Sequence, residues 1–133
     1  RVIYPILDLR PRGQDLRQYI RQLQTAVQLT LRAYGVESVL TDDIGVWVNT
    51  PAGLAKIAAI GVRVRRWVTF HGVAINVCPN LDHFRGINPC GLGDKPVTSL
   101  AALGITTDLT IFDQHLANAL AQVFDLTWAQ ELP

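Results

Sequence analysis

Residues 56–64 read Lys-Ile-Ala-Ala-Ile-Gly-Val-Arg-Val, with apolar side chains at even positions (Ala58, Ile60, Val62, Val64) and at odd ones (Ile57, Ala59). Strict alternation marks a strand with one wet face, whereas apolar residues on both faces imply a strand covered on both sides. Arg65-Arg66 is the expected turn of a hairpin. The return strand, residues 67–77, puts Thr69, His71, Val73 and Ile75 on one face and Phe70, Gly72, Ala74 and Asn76 on the other. Such a hairpin can be stable only inside a layered domain.

The flanking sequence supplies the other layer. Asp15 is a good N-cap, and Leu16, Tyr19, Ile20, Leu23, Val27, Leu31 and Tyr34 form one helical stripe, stopped by Gly35. Arg17, Gln18, Arg21, Gln24, Gln28 and Arg32 lie off that stripe. A second helix is expected near 108–124, with Leu109, Phe112, Leu116, Ala119, Leu120 and Val123 inward. Residues 2–9 read as a mostly buried strand, which Pro5 confines to an edge or a bulge. Short strands are expected near 38–40 and 46–49, and a short segment at 97–100. Residues 78–93 are loop-rich. The expected fold class is α/β (α+β), a mixed sheet with packed helices in one domain, residues 1–133.

Composition narrows the function. The 133 residues are 49% hydrophobic and 17% charged, which is globular rather than disordered. A net charge of +1 gives no whole-chain field to draw in nucleic acid or a membrane surface. Every apolar run is interrupted well short of a bilayer span. With only Cys78 and Cys90 in the chain, a disulfide scaffold is not indicated, and a reducing, cytoplasmic setting is expected. The chain has no methionine and opens on Arg1, directly into strand-like sequence, so it reads as a processed product or a fragment.

Several residues around the hairpin are able to carry chemistry. Cys90 stands between Pro89 and Gly91, a setting that suits a thiol presented from a turn with backbone N–H groups free to face an oxyanion. A free thiol titrates near pH ~8.5, so only about 3% is thiolate at pH 7, and a nearby ammonium would raise that fraction. Lys56 opens an otherwise apolar strand, where a partly buried amine can serve as a general base. Each has a plainer reading: a small buried cysteine, and a strand-end lysine reaching for water. His71 in mid-strand is more often a hydrogen-bonded core residue, and Asn76 and Asn88 are more often turn formers. Cys78 continues the strand and is expected to be structural. The order His71, Cys78, His83, Cys90 matches no zinc spacing. The Gly-Leu-Gly at 91–93 lacks the rest of a dinucleotide fingerprint, and there is no phosphate loop or GxSxG.

Four motifs go further: Tyr4-Pro-Ile-Leu-Asp-Leu9, Lys56-Ile-Ala-Ala-Ile-Gly-Val-Arg63, Thr69-Phe-His-Gly-Val-Ala-Ile-Asn76 and Asn88-Pro-Cys-Gly91. In this order, and continuing through Val97-Thr-Ser-Leu100, they closely resemble the lipoyl(octanoyl) transferases. That resemblance implies the fold shared with biotin and lipoate protein ligases. It implies transfer of an octanoyl group from octanoyl-acyl carrier protein to a lysine of lipoyl-accepting domains, those of 2-oxoacid dehydrogenase complexes and the glycine cleavage H protein. Carried over by position, it makes Cys90 the acyl-accepting nucleophile and Lys56 its base. It also places His71, Gly72 and Asn76 along the acyl pocket, with Ala58 and Ile60 as lining. No cofactor, metal or nucleotide is implied, because the thioester is already activated.

One departure stands out. The family carries an Arg-Gly-Gly…Thr-x-His-Gly-Pro-Gly-Gln segment ahead of the Tyr-Pro-Ile-Leu-Asp-Leu motif, and no such segment occurs here. The chain is therefore expected to be the C-terminal portion of an octanoyltransferase catalytic domain. Two alternatives stay open: an ATP-dependent lipoate or biotin ligase of the same fold, and a non-catalytic module in which the arginines dock an acidic carrier.

Overall fold

A computed structural model describes residues 1–86 and 95–129. Four strands, β1 (Val2–Ile3), β2 (Val46–Thr50), β3 (Gly53–Arg65) and β4 (Val68–Ile75), form one sheet in the order β1-β4-β3-β2. Among the described residues all three ladders are antiparallel, and a parallel bridge joins Lys56 to Val97. Two helices, α1 (Leu16–Arg32) and α2 (Leu109–Phe124), pack on each other and on one face of this sheet, an α+β arrangement.

The helices follow their sequence signals, except that the first residue of each expected stripe, Leu16 and Leu109, is exposed in the opening turn. Asp15 caps α1 by accepting the Gln18 N–H at 2.9 Å, and Asp108 caps α2 through the Thr110 N–H. Each side chain satisfies one of the N–H groups that a helix start leaves without a partner. Gly35, at φ +73°, supplies the left-handed stop after α1. The core joins Tyr19, Leu23, Val27 and Leu31 of α1 to Phe112, Leu116 and Phe124 of α2 and to Val46, Ile57, Val73 and Ile75 of the sheet. Gln24, polar and off the stripe, is nevertheless buried, because its amide donates to the Gly45 carbonyl at 3.1 Å.

The sheet departs from the expected pattern at three places. Residues 2–9 pair as a ladder only at Val2–Ile3. After Pro5 the chain returns to β4 as an isolated bridge, Asp8 with Val68, supported by the Thr69 hydroxyl bonding to Pro5 and Leu7. The hairpin turn is Arg66-Trp67, both at positive φ, one residue beyond the expected position.

The third departure moves the site. Trp47 pairs with Lys56 and Val46 with Ala58, so Ile57 is an extra residue in β3. This bulge turns the alternation over: Ile57 and Ala58 both face the helices, and from there even positions point inward and odd ones outward. The expectation of a strand covered on both sides therefore does not hold. Helices cover one face, while Ala59, Gly61 and Arg63 are exposed on the other. Among the described residues no helix is long and apolar enough to cross a membrane.

Candidate functional site

The outer, helix-free face of the sheet carries the arrangement of interest. Gly61 pairs with Gly72 and Ala59 with Ala74, so the middle of this face has almost no side chains. Val2 and Tyr4 on one side and Arg63 and His71 at one end surround it, leaving a depression of about 500 Å³. That is within the usual range for a small-molecule pocket, roughly 300–1,000 Å³. Gly72 is required there: a β-carbon would come within 2.2 Å of the Ile3 carbonyl oxygen.

Lys56 lies on this same outer face. Its main chain is held from the side that β4 leaves vacant, with its N–H donating to the Pro96 carbonyl and its carbonyl accepting the Thr98 N–H, both at 2.9 Å. Asn76, just beyond β4, donates from its side-chain amide to the Thr98 carbonyl at 3.0 Å, and its own N–H reaches the Ile57 carbonyl. Residues 96–98 therefore take the place of β4 beside Lys56. The Lys56 ammonium sits 4.7 Å from the centre of the Trp47 ring. A second ammonium, that of Lys95, lies 5.3 Å from the same ring and is paired with the Asp43 carboxylate.

The residues singled out from sequence separate into three groups. Gly72 and His71 line the depression. His71 is exposed at φ +62°, so it breaks the alternation that would have buried it with Val73 and Ile75. Asn76 lies beside Lys56 as a tie to residues 96–98. Ala58 and Ile60 face the helices instead: Ala58 is fully buried and Ile60 packs against the core. The bulge is the reason, because without it Ala58 and Ile60 would share the face of Lys56. The β3 residues that do line the depression include Ala59 and Gly61, a placement that sequence alternation alone does not reveal. Trp47 was also missed, since its signal is a cross-strand pairing rather than a motif. Cys90 and Asn88 lie outside the described residues. Cys78, expected to continue the buried strand, is exposed because β4 ends at Ile75. Among the described residues no group of three or more His, Cys, Asp or Glu side chains is placed to hold a metal ion.

Comparison with known proteins gives this geometry a context. The lipoyl protein ligase A/B catalytic domain matches residues 1–121. An octanoyltransferase from Zymomonas mobilis is 42% identical over 132 residues, covering 98% of this chain and 61% of that protein. One from Maricaulis maris is 48% identical over 128 residues, covering 93% of this chain and 57% of that protein. The chain thus spans about three-fifths of these relatives. Among solved structures, a bipartite lipoate protein ligase from Thermoplasma acidophilum superposes with a TM-score of 0.73 at 15% identity, over 98% of this chain and 52% of that one. A biotin protein ligase from Aquifex aeolicus gives 0.71, also at 15% identity, over 93% of this chain and 52% of that one. At that identity the likeness shows the fold alone.

Proposed function

The chain belongs to the lipoyl protein ligase A/B catalytic domain family, and from that premise we propose that it carries the nucleophile and base of an octanoyltransferase. The donor is octanoyl-acyl carrier protein. The acceptor is a lysine of lipoyl-accepting domains, as in 2-oxoacid dehydrogenase complexes and the glycine cleavage H protein.

The reaction runs in two steps. Lys56, as the free amine, takes the proton of the Cys90 thiol. The thiolate attacks the octanoyl thioester, a new C–S bond forms as the carrier's C–S bond breaks, and the departing carrier thiolate takes the proton back from the Lys56 ammonium. The acceptor amine then attacks acyl-Cys90. An amide bond forms, the C–S bond breaks, and the proton lost by the amine passes to Lys56. The depression beside Gly72 and His71 holds the acyl chain, bounded by Ala59 and Gly61 rather than by Ala58 and Ile60.

The observation that carries this reading is the backbone pairing of Lys56 with Pro96 and Thr98. Pro96 follows Cys90 by six residues in the sequence, so the segment that leads on from the proposed nucleophile is the one that pairs with the proposed base. The same pairing aligns Lys56 on the face that contains the depression.

The test is intact-protein mass after mixing with octanoyl-carrier protein, on this chain and on one extended to the length of its relatives. An octanoyl adduct lost with Cys90→Ser, retained with Cys78→Ser and slowed by Lys56→Ala supports the reading. If the extended protein binds the carrier yet never acquires the adduct, the chain is a binding module instead. Labelling that requires ATP points to a ligase.

A further inference from the structure

We propose that Trp47 is a positioning residue for Lys56, holding its ammonium against the indole face in the protonated state that follows proton transfer from the thiol. The inference rests on the base role proposed above for Lys56.

The geometry is specific. Trp47 and Lys56 are directly opposed across β2 and β3, and the ammonium lies 4.7 Å from the ring centre, inside the roughly 6 Å reach of a cation–π contact. The ring itself is fixed. Trp47 is 1% exposed, its main chain exchanges hydrogen bonds with Val39, and its indole N–H donates to the Asp43 carbonyl at 3.3 Å. Gly45 clears the path for the lysine stem, because a β-carbon there would lie 3.2 Å from Lys56 Cε and 2.9 Å from the Ala58 carbonyl oxygen. The neighbouring Lys95 ammonium is paired with Asp43, so its charge is compensated beside the same ring.

A lysine side chain has four rotatable bonds and large rotamer entropy, so a base on such a stem is poorly aimed unless something orders it. The β2–β3 register, unbroken from the Thr50/Gly53 pair to the Trp47/Lys56 pair, is what brings the stem to Trp47. A desolvated ring favours the ammonium, which is the form Lys56 takes once the thiolate exists. Losing that face should therefore slow thiolate-dependent chemistry at Cys90 by roughly five- to thirtyfold.

The experiment measures the alkylation rate of Cys90 by iodoacetamide in a Cys78→Ser background, which removes the exposed competing thiol. Trp47→Leu, Trp47→Phe, Lys56→Ala and the Trp47→Leu/Lys56→Ala double variant are compared with the parent, with thermal melts confirming folding. Lys56 ε-methylene shifts are recorded by NMR in parallel. Expected results are slowing by Trp47→Leu, recovery to within about threefold by Trp47→Phe, and no added effect of Trp47→Leu once Lys56 is absent. The upfield ring-current shift of the Lys56 ε-methylene should disappear in Trp47→Leu. If Trp47→Leu does not fold, Trp47→Met, whose flexible chain fills the space, replaces it.

Equal slowing by Trp47→Leu with and without Lys56 would mean a merely structural role and overturns the proposal. No slowing by Trp47→Leu, where Lys56→Ala does slow alkylation, also overturns it while leaving the base role intact. No effect of Lys56→Ala overturns both.

Discussion

Gly72 lies directly beneath Ile3, so close that a β-carbon at position 72 would meet the Ile3 carbonyl oxygen at 2.2 Å and Pro5 Cδ at 2.7 Å. This approach seats the edge strand against β4 and raises Val2 and Tyr4 as one wall of the depression. Neither obstacle is the far end of a flexible side chain, so the strand itself has to move. Gly72→Ala should therefore peel β1 away and destabilise the protein by about 1–3 kcal/mol. Denaturant midpoints measure the loss. Amide exchange at Ile75, whose N–H donates to the Arg1 carbonyl, localises it. Unchanged protection at Ile75 would show that β1 tolerates a side chain.

Thr69 makes the neighbouring tie. Its hydroxyl donates to the Pro5 carbonyl and accepts the Leu7 N–H, both at 2.9 Å, while Tyr19 donates its hydroxyl to the same Pro5 carbonyl. Burial pushes the Tyr19 hydroxyl above its ordinary range, although its hydrogen-bonding link with Thr69 opposes that shift. Thr69→Val keeps the shape but leaves the Leu7 N–H without this partner. Equilibrium unfolding should show a loss of about 1–3 kcal/mol, with Thr69→Ser closer to the parent. Equal effects of Val and Ser would implicate the methyl group instead.

Acid sensitivity should trace to two carboxylates. Arg10 holds the Asp8 carboxyl down at about 2, through side-chain and backbone hydrogen bonds. Asp108 is also lowered, by the Thr110 N–H that it caps. A carboxylate depressed in the folded state stabilises it above the unfolded value, near 4, and that stabilisation is lost as pH falls through the folded value. Thermal midpoints should therefore fall between about pH 4 and pH 2. Asp108→Asn, which still caps, should keep the neutral-pH midpoint and flatten part of this slope, whereas Asp108→Ala should lower the midpoint at neutral pH. An unchanged slope in Asp108→Asn would remove Asp108 from the explanation.

The sequence by itself determined the two helices with their caps, since Asp15, Gly35 and the stripes at three- and four-residue steps are local signals. It determined the central hairpin and, through motifs in register along the chain, the family. It also singled out Lys56, Gly72 and His71. Tertiary structure alone decided which side chains share a face. Strand alternation has a period of two, so the single extra residue at Ile57 reverses every assignment after it, moving Ala58 and Ile60 into the core and Ala59 and Gly61 to the depression. A bulge arises from pairing with β2, and the run of apolar residues around Ile57 gives no local sign of it. The contact of Lys56 with Trp47 is a cross-strand pairing of the β2–β3 hairpin, and its bonds with residues 96–98 are long-range; both form only when the sheet assembles.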